Sequence, residues 1–322
     1  MSKAICIGEL LIDFVSTSTD VDLSNCPGFH KAPGGAPANV AVGLAKLGMS
    51  SGFIGKVGAD PFGDFLRATL EENGVDTTYL ISDENVRTTL AFVATRSDGK
   101  KEIVFYRNPG ADIMLDPFEI DEDYISSADI FHYGSVSLSH DPSRKATLKA
   151  IEIAKEAGCF MSYDPNLRLM LWDNPDDAKQ WIWEVMSYAH VAKLAEEEWE
   201  FITETIDLEE GSFMILDKGV QLVVVTLGEQ GCYYNNGKCS GYVEGFKVDV
   251  VDPLGAGDGF VSAMLYRLID VGNLSELNNV QLDEIMVYAN GAGALTTQKV
   301  GVIPALPSST DIQRFIQMKH ET

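Results

Sequence analysis

Short apolar runs alternate with amphipathic stretches along most of the chain. Residues 4–11 read as a buried strand. Residues 37–47 follow as a helix, with proline in the first turn, Gly48 as the stop, and Val40, Ala41, Leu44 and Leu47 on one face. Residues 51–57 read as a strand and 62–73 as a helix. Later strands fall at 130–133, 160–163, 190–194, 221–226 and 231–234, most of them separated by helical stretches. This alternation predicts an α/β fold, a largely parallel sheet with helices on both faces. Residues 12–31 and 88–107 break the rhythm, because their strand-like segments have no helix between them. The second stretch reads as a hairpin around Ser97-Asp98-Gly99. Together they predict a small separate sheet, either a lid over a site or a decorative hairpin. No internal repeat or low-complexity linker is present.

Composition narrows the function classes. The 322 residues carry 24 Lys and Arg against 48 Asp and Glu, a net charge of −24. Nucleic acid and anionic membranes both want a basic face, so neither is an expected partner. The chain is 45% apolar and 22% charged, an ordinary globular mixture. No apolar run approaches the length of a membrane span, and Glu9 and Asp13 interrupt the first one, which reads as a strand and not a signal peptide. The five cysteines, Cys6, Cys26, Cys159, Cys232 and Cys239, are odd in number and irregularly spaced. They predict reduced thiols and a cytoplasmic location. Neither these cysteines nor the five scattered histidines show metal-ligand spacing.

Candidate chemistry lies in five segments. Asp252-Pro253-Leu254-Gly255-Ala256-Gly257-Asp258 follows a strand-like run at 248–251 and opens an amphipathic helix. Glycines at a helix start leave N–H groups bare for an anion, and an acid beside them is placed to take a proton from an attacking hydroxyl. A glycine turn with a structural Asp explains the same residues. The segment is not a Walker A loop, nor a dinucleotide fingerprint, because Phe260 stands where the third glycine belongs. Gly34-Gly35-Ala36-Pro37-Ala38-Asn39 offers close backbone approach and an amide suited to a sugar hydroxyl, or else is a plain loop-to-helix junction. Arg168, in Asp164-Pro165-Asn166-Leu167-Arg168, follows a strand. So does Lys193-Leu194-Ala195-Glu196-Glu197-Glu198, which is either a charged first helical turn or a carboxylate source for hydrated Mg²⁺. Thr226-Leu227-Gly228-Glu229-Gln230-Gly231 is either a hairpin turn or an opening for a nucleotide.

Taken in order, these segments resemble the ribokinase-like (PfkB) carbohydrate kinases. The likeness includes Ile54-Gly55-Lys56-Val57-Gly58-Ala59-Asp60-Pro61-Phe62-Gly63 and Ala289-Asn290-Gly291-Ala292-Gly293-Ala294, and it covers essentially the whole chain. The resemblance implies a ribokinase-like core of residues 1–11, 32–87 and 108–322, a β lid of 12–31 and 88–107, and a homodimer paired through the lid. It implies ATP and Mg²⁺, with K⁺ as a further ion near Asp252 and Gly301. It makes Asp258 the catalytic base and Gly255, Ala256 and Gly257 the anion hole. Asp13, Gly34, Gly35, Asn39, Phe105, Arg107, Asn166 and Arg168 would bind the sugar substrate. Lys193, Thr226, Gly228, Gly231 and Asn290 would lie at the nucleotide, and Glu198 would act on Mg²⁺ through water. The sequence departs from the pattern at Ala195, which replaces an Asn or Ser, at Pro253-Leu254, which replaces the common Thr-Thr and removes a hydroxyl beside the K⁺ position, and at Val302, which replaces the Ala that commonly follows Gly301.

Gly8-Glu9-Leu10-Leu11-Ile12-Asp13-Phe14 and Phe105-Tyr106-Arg107-Asn108 look most like bacterial and plant fructokinases. A neutral hexose suits a carboxylate such as Asp13, which would repel an acid sugar. The expected reaction is phosphorylation of D-fructose at its 6-hydroxyl. Kinases of 2-keto-3-deoxygluconate or aminoimidazole riboside are the rivals within the family, and a non-catalytic sugar sensor is the rival outside catalysis.

Overall fold

The computed structural model describes residues 3–95 and 101–320, so the turn expected at Ser97-Asp98-Gly99 lies outside the described residues. Strand β1 (Lys3–Ile7) leads out to β2 (Leu11–Ser16) and β3 (Phe29–Gly34), and α1 (Ala36–Lys46) and β4 (Ser50–Gly58) lead back. Helix α2 (Pro61–Glu72), β5 (Val75–Asp76) and β6 (Leu80–Asp83) precede a second excursion, β7 (Leu90–Thr95) and β8 (Lys101–Tyr106). Then follow α3 (Glu122–Ser126), β9 (Ile130–Tyr133), α4 (Ser143–Glu156), β10 (Phe160–Tyr163), α5 (Pro175–Met186) and β11 (Val191–Ala195). Next come α6 (Glu196–Thr203), α7 (Leu208–Leu216), β12 (Leu222–Thr226), β13 (Cys232–Asn235) and β14 (Ser240–Val243). Helices α8 (Ala256–Leu268), α9 (Asn279–Thr296), α10 (Val302–Ala305) and α11 (Ser309–His320) complete the described chain.

The large sheet runs β14-β13-β12-β11-β10-β9-β1-β4-β5, with β6 also on β4. It is parallel except for the antiparallel edge β12-β13-β14. Its strands alternate as period-2 burial requires. Ala4 and Cys6 face the layer built by α1, α8 and α9, while Ile5 and Ile7 face the layer of α4, α5 and α6. Both faces are covered, which is why these strands read as continuous apolar runs. The second sheet, β3-β2-β7-β8, consists of two antiparallel hairpins joined by a parallel β2–β7 pair.

Buried polar ties fasten this small sheet to the core. Where β1 crosses to β2, Glu9 Oε1 accepts from Ala36 N–H at the start of α1, at 3.1 Å. Where β7 begins and β8 ends, Thr89 Oγ1 and Arg107 Nε both donate to Asp112, and Arg107 Nη1 donates to Ser139 Oγ at 3.0 Å.

One expected strand is absent. Residues 244–250 have no regular structure, and Val250 and Val251 are more than half exposed. Instead of pairing with a strand, Val251 N–H and Asp252 N–H both donate to the Thr297 carbonyl at the end of α9. Alternating Val and Asp suit a strand only where a partner edge exists, and here the sheet already ends at β14.

Candidate active site

The site forms where the carboxyl ends of β10, β11 and β12 meet the start of α8, the usual place for a ligand in an open α/β sheet. Gly255 caps α8 at φ 76°, and a Cβ there would also run into Val302. The preceding loop is tied down by Asp252, which accepts from Leu254 N–H and Gly301 N–H, both at 3.0 Å. Asp252 and Gly301 therefore do meet, but through the backbone of Gly301. The result is a rigid first turn whose leading N–H groups have no helical partner and carry the positive end of the dipole.

Asp258 lies in that first turn, buried. Burial pushes its carboxyl up to about 6; the amide of Asn39 pulls it down, Asp164 pushes it up, and Lys193 and Arg168 pull it down. Asn39 Nδ2 donates to Asp258 Oδ2 at 2.8 Å. Helices α1 and α8 come this close because Gly43 sits against Ser262; a Cβ at Gly43 would lie 2.4 Å from Ser262 Oγ.

Beneath the first turn of α8, Lys193 Nζ lies where a Cβ on Gly257 would be 3.1 Å away, and Asp164 Oδ2 holds the ammonium at 3.1 Å. Burial would discharge Lys193, but Asp164, Glu198 and Asp258 outweigh it, so the lysine stays charged. Asp164 also accepts from Asn166 N–H, which fits the left-handed φ of 43° at Asn166. The sequence motif assigns Asp164 no role of its own. The carboxylate following a strand in Asp-Pro-Asn was the available signal.

Glu198 is buried, with both oxygens committed: Oε1 accepts from Ala195 N–H at 2.9 Å and Oε2 from Leu167 N–H at 2.7 Å. Burial raises its carboxyl, and Asp164 adds to that. The same glutamate thus caps α6 and fastens the loop carrying Asn166 and Arg168. Arg168 is exposed and Asn166 half-buried.

Asp13 lies against Gly34, where a Cβ would be 2.3 Å from Oδ2, and Gly35 (φ 118°) is pressed against the Glu9 carbonyl. Asp13, Ala91 and Phe105 form one cross-strand row of the small sheet. Arg107 is buried at the end of that sheet, committed to Asp112 and Ser139. On the other side, Thr226 Oγ1 donates to the Leu194 carbonyl, and Gly228 (φ 58°) and Gly231 (φ 101°) shape the turn into β13. Asn290 Nδ2 donates to the carbonyls of Val243 and Glu244 at 3.2 Å, so its amide braces the chain leaving β14. Among the described residues no three acidic, His or Cys side chains cluster as a metal cage, and no helix is long and apolar enough to cross a membrane.

The family described as pfkB family carbohydrate kinase matches residues 1–309. The chain belongs to the pfkB family of carbohydrate kinases. Fructokinase-2 of Solanum lycopersicum is 47% identical over 308 residues, covering 95% of this chain and 94% of that protein. The structure of a fructokinase with bound ATP from Xylella fastidiosa superposes with a TM-score of 0.90 at 32% identity, covering 99% of both chains. A fructokinase double mutant from Vibrio cholerae O395, solved with fructose, ADP and a potassium ion, gives 0.87 at 35%, covering 98% of both. The ribokinase-like α/β fold expected from the motifs is the fold observed, and this pfkB kinase is an ATP-dependent sugar kinase.

Proposed function

We propose that this kinase transfers the γ-phosphate of ATP to the 6-hydroxyl of D-fructose. The observation that carries the reading is Asp258, buried in the first turn of α8 within reach of Asn39 and above the Lys193 ammonium. With its carboxyl raised to about 6, Asp258 is ionised at neutral pH yet basic enough to take a hydroxyl proton. The N–H groups of Gly255, Ala256 and Gly257 hold the charge that spreads over the phosphoryl oxygens, and Lys193 neutralises it from below. The small sheet excludes water from the reaction. Asp13, Gly34, Gly35, Asn39, Phe105, Asn166 and Arg168 bind the sugar, with Arg107 anchoring the lid edge beside it. Thr226, Gly228, Gly231 and Asn290 shape the nucleotide side.

Mg²⁺ fits this donor set only as an ion carried by phosphate oxygens and water, since Glu198 is committed to backbone N–H groups and supplies charge from a distance. Mg²⁺ would neutralise the β- and γ-phosphates. K⁺ fits near Asp252 and Gly301 through carbonyl oxygens, and replacing KCl by NaCl at constant ionic strength should lower kcat. The free thiols support a cytoplasmic enzyme. The outer face of the lid, where Phe14, Phe92 and Val104 align and Tyr106 is 65% exposed, supports pairing of two copies.

ADP release measured with fructose, 2-keto-3-deoxygluconate, ribose and aminoimidazole riboside tests the substrate. The largest kcat/KM is expected with fructose. A preference for the acid sugar or the riboside would overturn that choice, and sugar binding without ADP would overturn catalysis. Asp258→Asn should lower kcat by at least about 10²-fold.

A further inference from the structure

Asn39 is the fourth residue of α1, within the helix, where asparagine is a poor choice without a task. It is buried, and its Oδ1 has no hydrogen-bond partner. Its Nδ2 donates to Asp258 Oδ2 across 219 residues of sequence. An ionised carboxylate only accepts, so the nitrogen end of the amide must be the one that faces it. One helical turn further along, Gly43 meets Ser262 one turn beyond Asp258, and this close crossing fixes the distance between the two side chains.

We propose that Asn39 is a positioning residue for the base: its amide nitrogen holds Oδ2 of Asp258, so that Oδ1 receives the proton of the acceptor hydroxyl. The two carboxylate oxygens are then inequivalent before substrate arrives. The Oδ1 of Asn39 is itself buried and unpartnered, so the amide is held in the core with only its nitrogen engaged. This inference rests on Asp258 being the base. The other groups that bear on Asp258 are Asp164 after β10, Lys193 on β11 and Arg168 on the loop between them. None of them supplies the amide contact of Asn39.

The test is the pH profile of kcat/KM together with kcat and KM for fructose. Removing a donor that favours the ionised carboxyl shifts its titration upward. Asn39→Ala should therefore move the acid limb to higher pH and lower kcat by about 10-fold or more. Asn39→Asp keeps the shape, so it stands in should the alanine variant not fold. It places a like charge on Asp258 and should move the limb further in the same direction. A rise in KM with kcat and the acid limb unchanged would show that Asn39 only binds sugar, overturning the proposal. Asp258→Asn separates the two readings, because substantial turnover in that variant would remove the base itself, whatever Asn39 does.

Discussion

At the scale of single residues, the centre of this molecule sets function against stability. Asp258 titrates at about 6 in the fold against an ordinary 3.8, chiefly because it is buried. A raised carboxyl lends stability that is full below its unfolded value and lost as pH rises through its folded one. At neutral pH the ionised Asp258, the proposed base, therefore strains the fold. Asp258→Asn should raise the stability at pH 7 by about 1–3 kcal/mol while removing turnover, and the gain should vanish below about pH 4. Urea denaturation at both pH values checks this, and a destabilised variant at pH 7 would contradict it. Wild-type kcat/KM should correspondingly fall as pH drops through about 6, the value that Asp258 takes in the fold.

At the scale of elements, the site depends on how closely helices approach. Gly43→Ala would bring a methyl to within 2.4 Å of Ser262 Oγ and force α1 from α8. The expected loss is about 1–3 kcal/mol by urea denaturation, together with reduced kcat, because the Asn39–Asp258 contact opens. This crossing explains what the sequence could and could not show. Runs such as Ile130–Tyr133 and Phe160–Tyr163 declared themselves because each is apolar, short and bounded by helical stretches. The glycine segment before Asp258 was legible because a helix start with bare N–H groups has a recognisable composition. Residues 248–251 carried the same strand-like alternation, yet alternation does not reveal whether a partner edge exists. That Arg107 is tied to Asp112 at the end of the small sheet, or that Glu198 clamps two backbone N–H groups, depends on contacts between distant segments that no local pattern encodes.

At the scale of the whole molecule, a net charge of −24 surrounds a site for polyanions. The site answers with local means, a helix start and the Lys193 ammonium, while the general field opposes both ATP and a second copy of the chain. The proposed pairing through the small sheet should therefore tighten as NaCl screens that field, and Tyr106→Glu should abolish it. Sedimentation across a salt series checks both, and indifference to salt would count against a charge-opposed dimer. Asp112 takes its bonds from Thr89, where the chain enters β7, and from Arg107, where it has left β8. The two ends of that excursion are thus pinned to a single point of the core. The excursion therefore returns to the core where it left it. One carboxylate thus sets the footing of both strands, like a single bolt through two straps.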